Sequence, residues 1–163
     1  MAVDLLSVRA DPPASPGLVI EPVTGTEPLR TWCQTFADGF GMPDFVNAAF
    51  LDFFSSLGPD EHLRMRHYTG WLDGEPVATS TLFLGAGVAG IYNVATLPHA
   101  RRKGIGAAMT LKPLHQAREM GYRVGILQAA EMGVGVYRRL GFQEYCRIGH
   151  YMWASEQATH GVG

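Results

Sequence analysis

The feature of this sequence that most constrains its fold is a change in the spacing of its apolar residues near position 63. From there, apolar side chains recur at every second position, which is the period of a β-strand with one buried face. The pattern covers three consecutive segments: residues 63–73, 76–84 and 89–96. Asp73-Gly74 and Gly85-Ala86-Gly87 separate these segments, and both favour tight hairpin turns. The sequence therefore predicts an antiparallel meander.

Helical spacing brackets the meander on both sides. The other predicted elements are a strand at 18–23, helices at 27–40 and 43–57, a helix at 105–120, a strand at 122–129, a short helix at 133–140 and a strand pair within 142–153. Because the strand at 122–129 follows the strand at 89–96 through one helix, the two should lie parallel. We expect an α/β fold: a mixed, mostly antiparallel twisted sheet of six to seven strands with a parallel central pair and helices on both faces.

Length and composition limit the class of protein. A chain of 163 residues and 17.7 kDa has the size of one domain, and 47% hydrophobic against 17% charged residues excludes a disordered chain. A net charge of -2 and a pI near 6.3 exclude a general basic surface for nucleic acids or acidic membranes. No apolar run approaches the roughly 20 residues of a membrane span, and the N-terminus lacks the basic start of a signal peptide. We therefore expect a cytoplasmic protein.

The two cysteines and the two chain ends carry little functional signal. Cys33 and Cys146 lack the spacing of a metal site or a disulfide framework, so we interpret both as small apolar side chains and expect no metal. Three prolines and a glycine between residues 12 and 17 preclude a helix there. We expect residues 1–17 to be an arm or linker outside the core, or the end of a preceding domain. The domain then covers residues 18–157, and 158–163 form a tail.

A cluster of cations and glycines stands where the third strand of the meander gives way to a helix. It reads Arg101-Arg102-Lys103-Gly104-Ile105-Gly106. Cations at a helix N-terminus oppose the helix dipole by about 0.3 to 1 kcal/mol each unless an anion compensates them. Unpaired backbone N–H groups and two glycines let such an anion approach closely. The turn is therefore predicted to bind a phosphate group, with a solvated basic turn as the alternative.

A second glycine cluster, Gly85 to Gly90, satisfies the dinucleotide pattern GxGxxG. That pattern requires a helix next and an acidic residue about 20 positions later. A β-rich segment follows instead, and the later positions are Met109, Thr110 and Leu111. We interpret this cluster as a hairpin loop.

The basic turn and its flanks resemble the GNAT superfamily of acyl-CoA-dependent N-acyltransferases. Arg101, Gly104 and Gly106 fill the Q/R-x-x-G-x-G/A phosphate-loop pattern of that family. The strand at 93–98 and the segment 133–142, which ends in Y-x-x-L-G-F, are also similar. The resemblance spans nearly 140 residues and implies a GNAT-like fold with acetyl-CoA as co-substrate.

The resemblance also implies a set of site residues. A strand end would bind the pantetheine arm, the turn would bind the pyrophosphate, and a tyrosine would protonate the departing thiolate. The matching residues are Val94, Ala95 and Thr96 for the arm, Arg101, Arg102, Lys103, Gly104, Ile105, Gly106 and Ala107 for the turn, and Tyr137 for the acid. Many relatives have Asn seven residues before the tyrosine, where this chain has Ala130. From its spacing alone, Tyr137 is also compatible with a core position on an amphipathic helix.

The residues leave the general base and the acceptor open. A lysine-like amine loses its proton at a cost of about 4 to 5 kcal/mol at pH 7, so a base or a water chain should help. The candidates are Glu131, Asn93, Asp44 and His67, with His99 as a further phosphate contact. The region around residues 39–43 matches the part of the family's fold that forms the acceptor lid, and six aromatic residues cluster there: Trp32, Phe40, Phe45, Phe50, Phe53 and Phe54. Their default role is core packing, but if some of them line the acceptor groove, they favour a hydrophobic or aromatic amine.

We expect an N-acetyltransferase that moves an acetyl group from acetyl-CoA to a primary amine of a small molecule or peptide. No activated Cys-His or Ser-His pair is evident, which favours direct attack in a ternary complex. Nucleic acid and membranes are not expected as partners, and a homodimer is left open. The alternatives are a non-catalytic domain that binds CoA or acyl-CoA as a sensor or in interactions, and transfer of a longer acyl group.

Overall fold

The computed structural model describes residues 1–8, 15–57, 64–149 and 151. Its strands are β1 (Ala2–Asp4), β2 (Leu18–Pro22), β3 (Met65–Leu72), β4 (Glu75–Gly85), β5 (Val88–Thr96) and β6 (Val124–Leu127). Its helices are α1 (Thr26–Phe40), α2 (Asp44–Ser56), α3 (Ile105–Glu119) and α4 (Glu131–Arg139), and a 3-10 turn covers Pro98–Ala100. Between positions 18 and 140 these bounds agree with the predicted elements to within two residues. None of the helices in these ranges is long and apolar enough to cross a membrane.

The strands of the described residues form one six-stranded sheet in the order β1-β6-β5-β4-β3-β2. β5 and β6 run parallel, with Val88 opposite Val124 and Ile91 opposite Leu127, and the other neighbouring strands are antiparallel. The parallel pair arises because α3 carries the chain back along the sheet between β5 and β6. The predicted fold class is confirmed.

Two tight turns set the register of the meander. Leu72 pairs with Glu75 around Asp73-Gly74, and Gly85 pairs with Val88 around Ala86-Gly87. The central residues have φ values of 52° and 86° in the first turn and 50° and 75° in the second. Two positive φ angles are typical of the type I′ turn, whose twist matches that of the flanking strands. The interpretation of the second glycine cluster as a hairpin loop is therefore confirmed.

Helices cover both faces of the sheet. Successive side chains of a strand point to opposite faces, and two neighbours on β3 contact different helices. The ring of His67 lies 4.4 Å from that of Trp32 on α1, whereas the Tyr68 hydroxyl hydrogen-bonds to Gln116 on α3. The α1–α2 face holds a small aromatic core, and the α3 face holds the larger aliphatic core.

The N-terminal segment departs from the prediction that residues 1–17 lie outside the core. β1 pairs with β6, and Val3, Leu5 and Val8 are at most 5% exposed. The prolines and the glycine that favoured an arm lie at positions 12–17 and place no restriction on the first eight residues. The prediction is therefore wrong for residues 1–8, and residues 9–14 lie outside the described ranges.

The C-terminal segment also differs from the prediction. Residues 142–149 make one isolated bridge, between Gln143 and Ala2, and no extended strand. The edge of β6 on which a C-terminal strand could pair is occupied by β1. Residues 152–163, which include the end of the predicted strand pair and the predicted tail, are not described.

Candidate active site

The centre of the site is a bulge in β5 at Asn93. The β4–β5 register shifts between Thr79 and Thr81, so that Asn93 and Val94 lie opposite a single residue of β4. Asn93 has φ 52°, a left-handed conformation that Asn tolerates better than most residues. The Thr79 hydroxyl donates to the Asn93 carbonyl at 2.8 Å, and Asn93 Nδ2 donates to Thr81 Oγ1 at 3.1 Å. Side chains of the neighbouring strand therefore hold the bulge in place.

Beyond this bulge, β5 and β6 separate. Their ladder ends at Ile91 and Leu127, although β5 continues to Thr96. Among the described residues, positions 94–96 therefore have a strand neighbour on the β4 side alone. Unpaired backbone groups of this kind bind an extended ligand as an added strand.

α3 begins in a turn whose backbone suits an anion. Its N-cap residue Gly104 has φ 81° and Arg102 has φ 63°. The N–H groups of Ala107 and Ala108 donate to the Gly104 carbonyl, while the five N–H groups of residues 102–106 have no partner among the described residues. Such groups at the positive end of a helix dipole attract a phosphate.

Gly106 leaves open space between this turn and the end of β5. Within 4 Å, a Cβ built on Gly106 would meet Thr96 Oγ1 alone, at 3.8 Å. The packing of the protein therefore does not require glycine at this position, although glycine within a helix is less stable than alanine by about 1 kcal/mol. The space fits a phosphate group that approaches the backbone.

The three cations of the turn have different surroundings. The side chains of Arg102 and Lys103 are exposed and make no ion pair or hydrogen bond within the described ranges, while the Lys103 carbonyl accepts a hydrogen bond from the Ser15 hydroxyl. Arg101 instead donates from Nε to the Thr96 carbonyl and from Nη2 to the Gly39 carbonyl, each at 2.9 Å. The sequence placed all three cations at the cofactor, whereas the guanidinium of Arg101 joins β5 to the end of α1.

Tyr137 lies on α4 and packs against α3. Its ring is half-buried, 6.0 Å from the ring of Phe142. Burial raises the pKa of the Tyr137 phenol, and a side-chain hydrogen bond with Thr110 offsets part of this increase. Thr110 in turn donates to the Gly106 carbonyl at 2.9 Å. The structure thus brings a protonated phenol to α3, the helix that begins at the cation–glycine turn of residues 101–106.

His67 is the most buried of the candidate bases, at 7% exposure. Its ring packs against those of Trp32 and Phe54 at 4.4 and 4.5 Å, and its Nδ1 lies 2.8 Å from Thr81 Oγ1. Because Asn93 contacts the same hydroxyl, a chain of two hydrogen bonds links His67 to the bulge. His67 lies opposite Thr81 on the neighbouring strand, and its ring supports the bulge from the α1–α2 face.

The remaining candidates lie at the surface. Glu131 and Asp44 are the exposed first residues of α4 and α2, where a carboxylate interacts favourably with the positive end of the helix dipole. His99 is exposed in the 3-10 turn that precedes the basic residues.

Part of the aromatic cluster on α1 and α2 faces solvent. The rings of Trp32, Phe36, Phe50 and Phe54 contact one another in stacked, tilted and edge-on pairs. Phe40, Phe45 and Phe53 are 50%, 74% and 54% exposed. A Cβ on Gly39 would come within 2.7 Å of Ala95 Cβ, so the end of α1 touches β5. Phe40 is therefore an exposed ring beside the unpaired end of β5.

The two cysteines have opposite environments. Burial raises the pKa of the Cys33 thiol to about 11, whereas Cys146 is exposed. A thiol with this pKa is almost entirely protonated at neutral pH and is a poor nucleophile. The interpretation as a small apolar side chain fits Cys33 but not the exposed position of Cys146.

A cavity of about 1040 Å³ lies away from the anion-binding turn. Its walls are residues 127–131, one side of α4, residues 144–148 and Met1. The amino group of Met1 donates to the Leu127 carbonyl at 2.8 Å, which places this cavity on the β1 side of β6.

A family model described as acetyltransferase (GNAT) domain matches residues 86–145. The match runs from the β4–β5 turn to the segment after α4, and it includes the bulge, the anion-binding turn and Tyr137. No curated protein matches the sequence significantly.

Several solved structures share the fold. A GCN5-related N-acetyltransferase from Kribbella flavida is 26% identical to this chain, with a TM-score of 0.65. The alignment covers 87% of this chain and 52% of the Kribbella flavida protein, so this chain spans about half the length of that protein. A protein from Clostridium acetobutylicum that is described as a predicted acetyltransferase and was solved with acetyl-CoA is 15% identical with a TM-score of 0.62, and the alignment covers 88% of this chain and 99% of that one. The aminoglycoside N-acetyltransferase AAC(6')-Iy, solved with the bisubstrate analogue CoA-S-monomethyl-acetylneamine, is 16% identical with a TM-score of 0.64, covering 85% and 99%.

Proposed function

We propose that this chain carries a GNAT acetyltransferase domain and that it transfers an acetyl group from acetyl-CoA to a primary amine. The resemblance to this superfamily predicted from the sequence is confirmed, and acyltransferase chemistry is what such a domain supports. The acetyl donor, the amine and the individual site residues are our proposal. The proposed domain covers residues 18–157 together with β1, because Val3 and Leu5 belong to its core.

The observation that carries the proposal is the row of five N–H groups at residues 102–106, which have no partner within residues 1–8, 15–57 and 64–149. They stand at the start of a helix of 15 residues, next to the two exposed cations Arg102 and Lys103. A diphosphate carries the charge and the acceptor oxygens that such a turn can satisfy. The space at Gly106 supports close approach of these oxygens to the backbone.

The end of β5 would bind the pantetheine arm. The amide groups of the arm form hydrogen bonds with an extended chain. Positions 94–96 offer them a strand edge, because among the described residues no strand pairs with these positions on the β6 side. Gly106 and Thr96 are neighbours, so the proposed arm site and pyrophosphate site are continuous. The thioester would then lie near the bulge at Asn93, between the diverging strands.

Acetyl-CoA supplies an activated acetyl thioester. As the amine nitrogen forms its bond to the carbonyl carbon, the bond to sulfur breaks, and we assign to Tyr137 the transfer of its phenolic proton to that sulfur. Burial raises the pKa of this phenol, so it holds its proton at neutral pH and can donate it. The nitrogen releases its excess proton to water, and the phenolate regains one from solvent. The buried, protonated Cys33 supports direct attack without a covalent enzyme intermediate.

The acceptor we propose is a small-molecule amine. One structural neighbour is an aminoglycoside acetyltransferase, whose acceptors are small molecules with amino groups. The exposed rings of Phe40 and Phe45 favour an amine that carries an apolar or ring-shaped group.

The test has two stages. Titration calorimetry with CoA measures cofactor binding, and a thiol-release assay with acetyl-CoA then compares an aromatic amine, a polyamine, an aminoglycoside and a short peptide. We expect binding with favourable heat and release of thiol that depends on one class of amine. If CoA gives neither heat nor a rise in melting temperature, the proposed function is wrong. Tight binding without release for any amine would instead favour a CoA-binding domain without turnover.

A further inference from the structure

We propose that Arg101 is a positioning residue that joins the acceptor-side helix α1 to the CoA-binding turn, so that bound CoA orders the chain after α1. The inference rests on the proposed function for the identity of the anion. Its structural part is independent of that function, because it concerns the contacts of one guanidinium. A cation in a loop next to a phosphate site is expected to point at the phosphate, whereas Arg101 contacts the backbone carbonyls of Thr96 and Gly39.

The guanidinium of Arg101 connects two elements that are far apart in sequence. Nε reaches the carbonyl of Thr96, the last residue of β5, and Nη2 reaches the carbonyl of Gly39 in α1, both at 2.9 Å. The planar guanidinium holds two acceptors at a fixed angle, which a flexible ammonium group does not. Arg101 therefore fixes the end of α1 relative to β5 and to the turn from which it projects.

The end of α1 needs a cation from outside the helix. The last four carbonyls of a helix lack partners within it and carry partial negative charge. The last turn of α1 contains no basic residue, and its C-cap Gly41 has φ 65°. Arg101 supplies the missing positive charge to the Gly39 carbonyl, so the interaction is favourable by charge as well as by geometry.

Close packing transmits this contact to the acceptor side. At Gly39 there is no room for a Cβ, since Ala95 Cβ would lie 2.7 Å from it. The N–H groups of Gly41 and Met42 bond back to Asp38 and Ala37, so the chain just after α1 is continuous with the helix end that Arg101 holds. A ligand that immobilises the turn at 102–106 would therefore stabilise the segment that carries Phe40 and Met42.

Hydrogen exchange of the Gly41 and Met42 amides, measured with and without saturating CoA, tests this coupling. We expect CoA to slow their exchange in the wild-type chain by a factor of about five or more, the lower end of common coupling strengths. Arg101→Met keeps the aliphatic stem but removes the donors. It should bind CoA nearly as well as wild type and yet lose this protection. Arg101→Lys, which retains the charge without the planar fork, should keep part of it.

Arg102→Met is the matched control, because it removes a neighbouring cation that does not contact α1. It should weaken CoA binding, and at saturating CoA it should keep the protection of Gly41 and Met42. Gly39→Ala breaks the same junction from the other side and leaves Arg101 intact, so it should lose protection as Arg101→Met does. This variant keeps the test decisive if Arg101→Met fails to fold.

Two results would overturn the proposal. Arg101→Met could retain the CoA-dependent protection, which would exclude coupling through this residue. It could instead lose CoA affinity as strongly as Arg102→Met with an unchanged melting temperature, which would make Arg101 a phosphate ligand. Failure of the wild-type chain to bind CoA is a separate outcome that overturns the proposed function and the coupling to CoA. Exchange without CoA, which should be faster in Arg101→Met than in Arg102→Met, then still decides whether Arg101 holds α1.

Discussion

Replacement of Gly106 separates what the fold requires from what a bound diphosphate requires. An alanine Cβ at this position makes one ordinary contact, 3.8 Å from Thr96 Oγ1, and glycine is not needed for a positive φ. Exchange of glycine for alanine in a helix stabilises it by up to about 1 kcal/mol. For a domain of this size, that corresponds to a melting temperature higher by about 2 to 4 °C. We therefore expect Gly106→Ala without CoA to be slightly more stable than wild type.

The same substitution should have the opposite effect on CoA binding. CoA at 100 times its dissociation constant stabilises the wild-type chain by about 2.7 kcal/mol. If the methyl group displaces the phosphate and weakens binding tenfold, the gain at that concentration falls to about 1.4 kcal/mol. Gly106→Glu should also fold, since a carboxylate in the first turn favours the helix dipole by about 0.3 to 1 kcal/mol. Its negative charge should abolish the gain altogether.

Thermal unfolding with and without CoA measures both effects in one experiment. Gly135→Ala is the matched control, because its Cβ would lie 3.7 Å from Arg139 Nη1 on α4, away from the turn at 102–106. It should show the same increase in stability and the full response to CoA. A wild-type CoA response in both Gly106 variants would refute the assignment of this turn as the diphosphate site.

Three further predictions concern other parts of the site. Tyr137→Phe should lower kcat more than it raises the KM of either substrate, and an unchanged kcat would leave Tyr137 a packing residue. Because burial raises the pKa of this phenol above its ordinary value near 10, the wild-type kcat should not fall on the alkaline side below that pH. Iodoacetamide should modify Cys33 far more slowly than the exposed Cys146, and equal labelling rates would contradict the burial of Cys33. The free energy of unfolding should also fall between pH 9.0 and about 11, because in this range the Cys33 thiol loses its proton in the unfolded chain but keeps it in the folded one. Asn93→Ala and Asn93→Gly both lose the hydrogen bond to Thr81, but alanine is strained at φ 52° and glycine is not. Urea unfolding should therefore show that Asn93→Ala is less stable than Asn93→Gly by about 1 kcal/mol, and equal stability would exclude the left-handed conformation at the bulge.

The elements of the fold were predictable because their signals are local. The period-two segments, the turns at Asp73-Gly74 and Ala86-Gly87, and the cation–glycine start of α3 each depend on a few consecutive residues. Short-range steric and hydrogen-bonding preferences decide such features before any tertiary contact forms. The parallel β5–β6 pair followed from the order of elements and the handedness of crossovers.

The sheet edge beside β6 could not be predicted in this way. Two segments compete for it, the first residues of the chain and the residues after α4, and nothing in either segment states which one pairs. β1 has three residues, which is too short for a periodic pattern. The contribution of Val3 and Leu5 to the core depends on a partner more than 100 residues away in sequence.

The backbone of the candidate site was predictable from the sequence, and its side-chain contacts were not. The turn at 101–107 could be located because glycines and cations at a helix start have a direct physical meaning. The contact of Arg101 with Gly39 spans 62 positions, and no local rule anticipates it. The threonines that hold Asn93 did leave a signal, since Thr79 and Thr81 are hydroxyl side chains in the buried stretch of β4 and buried hydroxyls need partners.

Backbone strain points to the same region as the glycine pattern. Among the described residues, the non-glycine positions with positive φ are Asp73, Ala86, Asn93 and Arg102. The first two lie in type I′ turns, where the twist of the flanking strands requires this conformation. Asn93 and Arg102 lie in no hairpin, and each costs of order 1 kcal/mol or more. Strain of this size persists only where the surrounding structure enforces it. Both residues flank the proposed path of CoA: Asn93 lies at the bulge beyond which β5 and β6 separate, and Arg102 lies at the start of the row of N–H groups that have no partner among the described residues. The positive-φ positions outside the hairpin turns thus lie along the proposed path of CoA, as expected if that path is preorganised before its ligand binds.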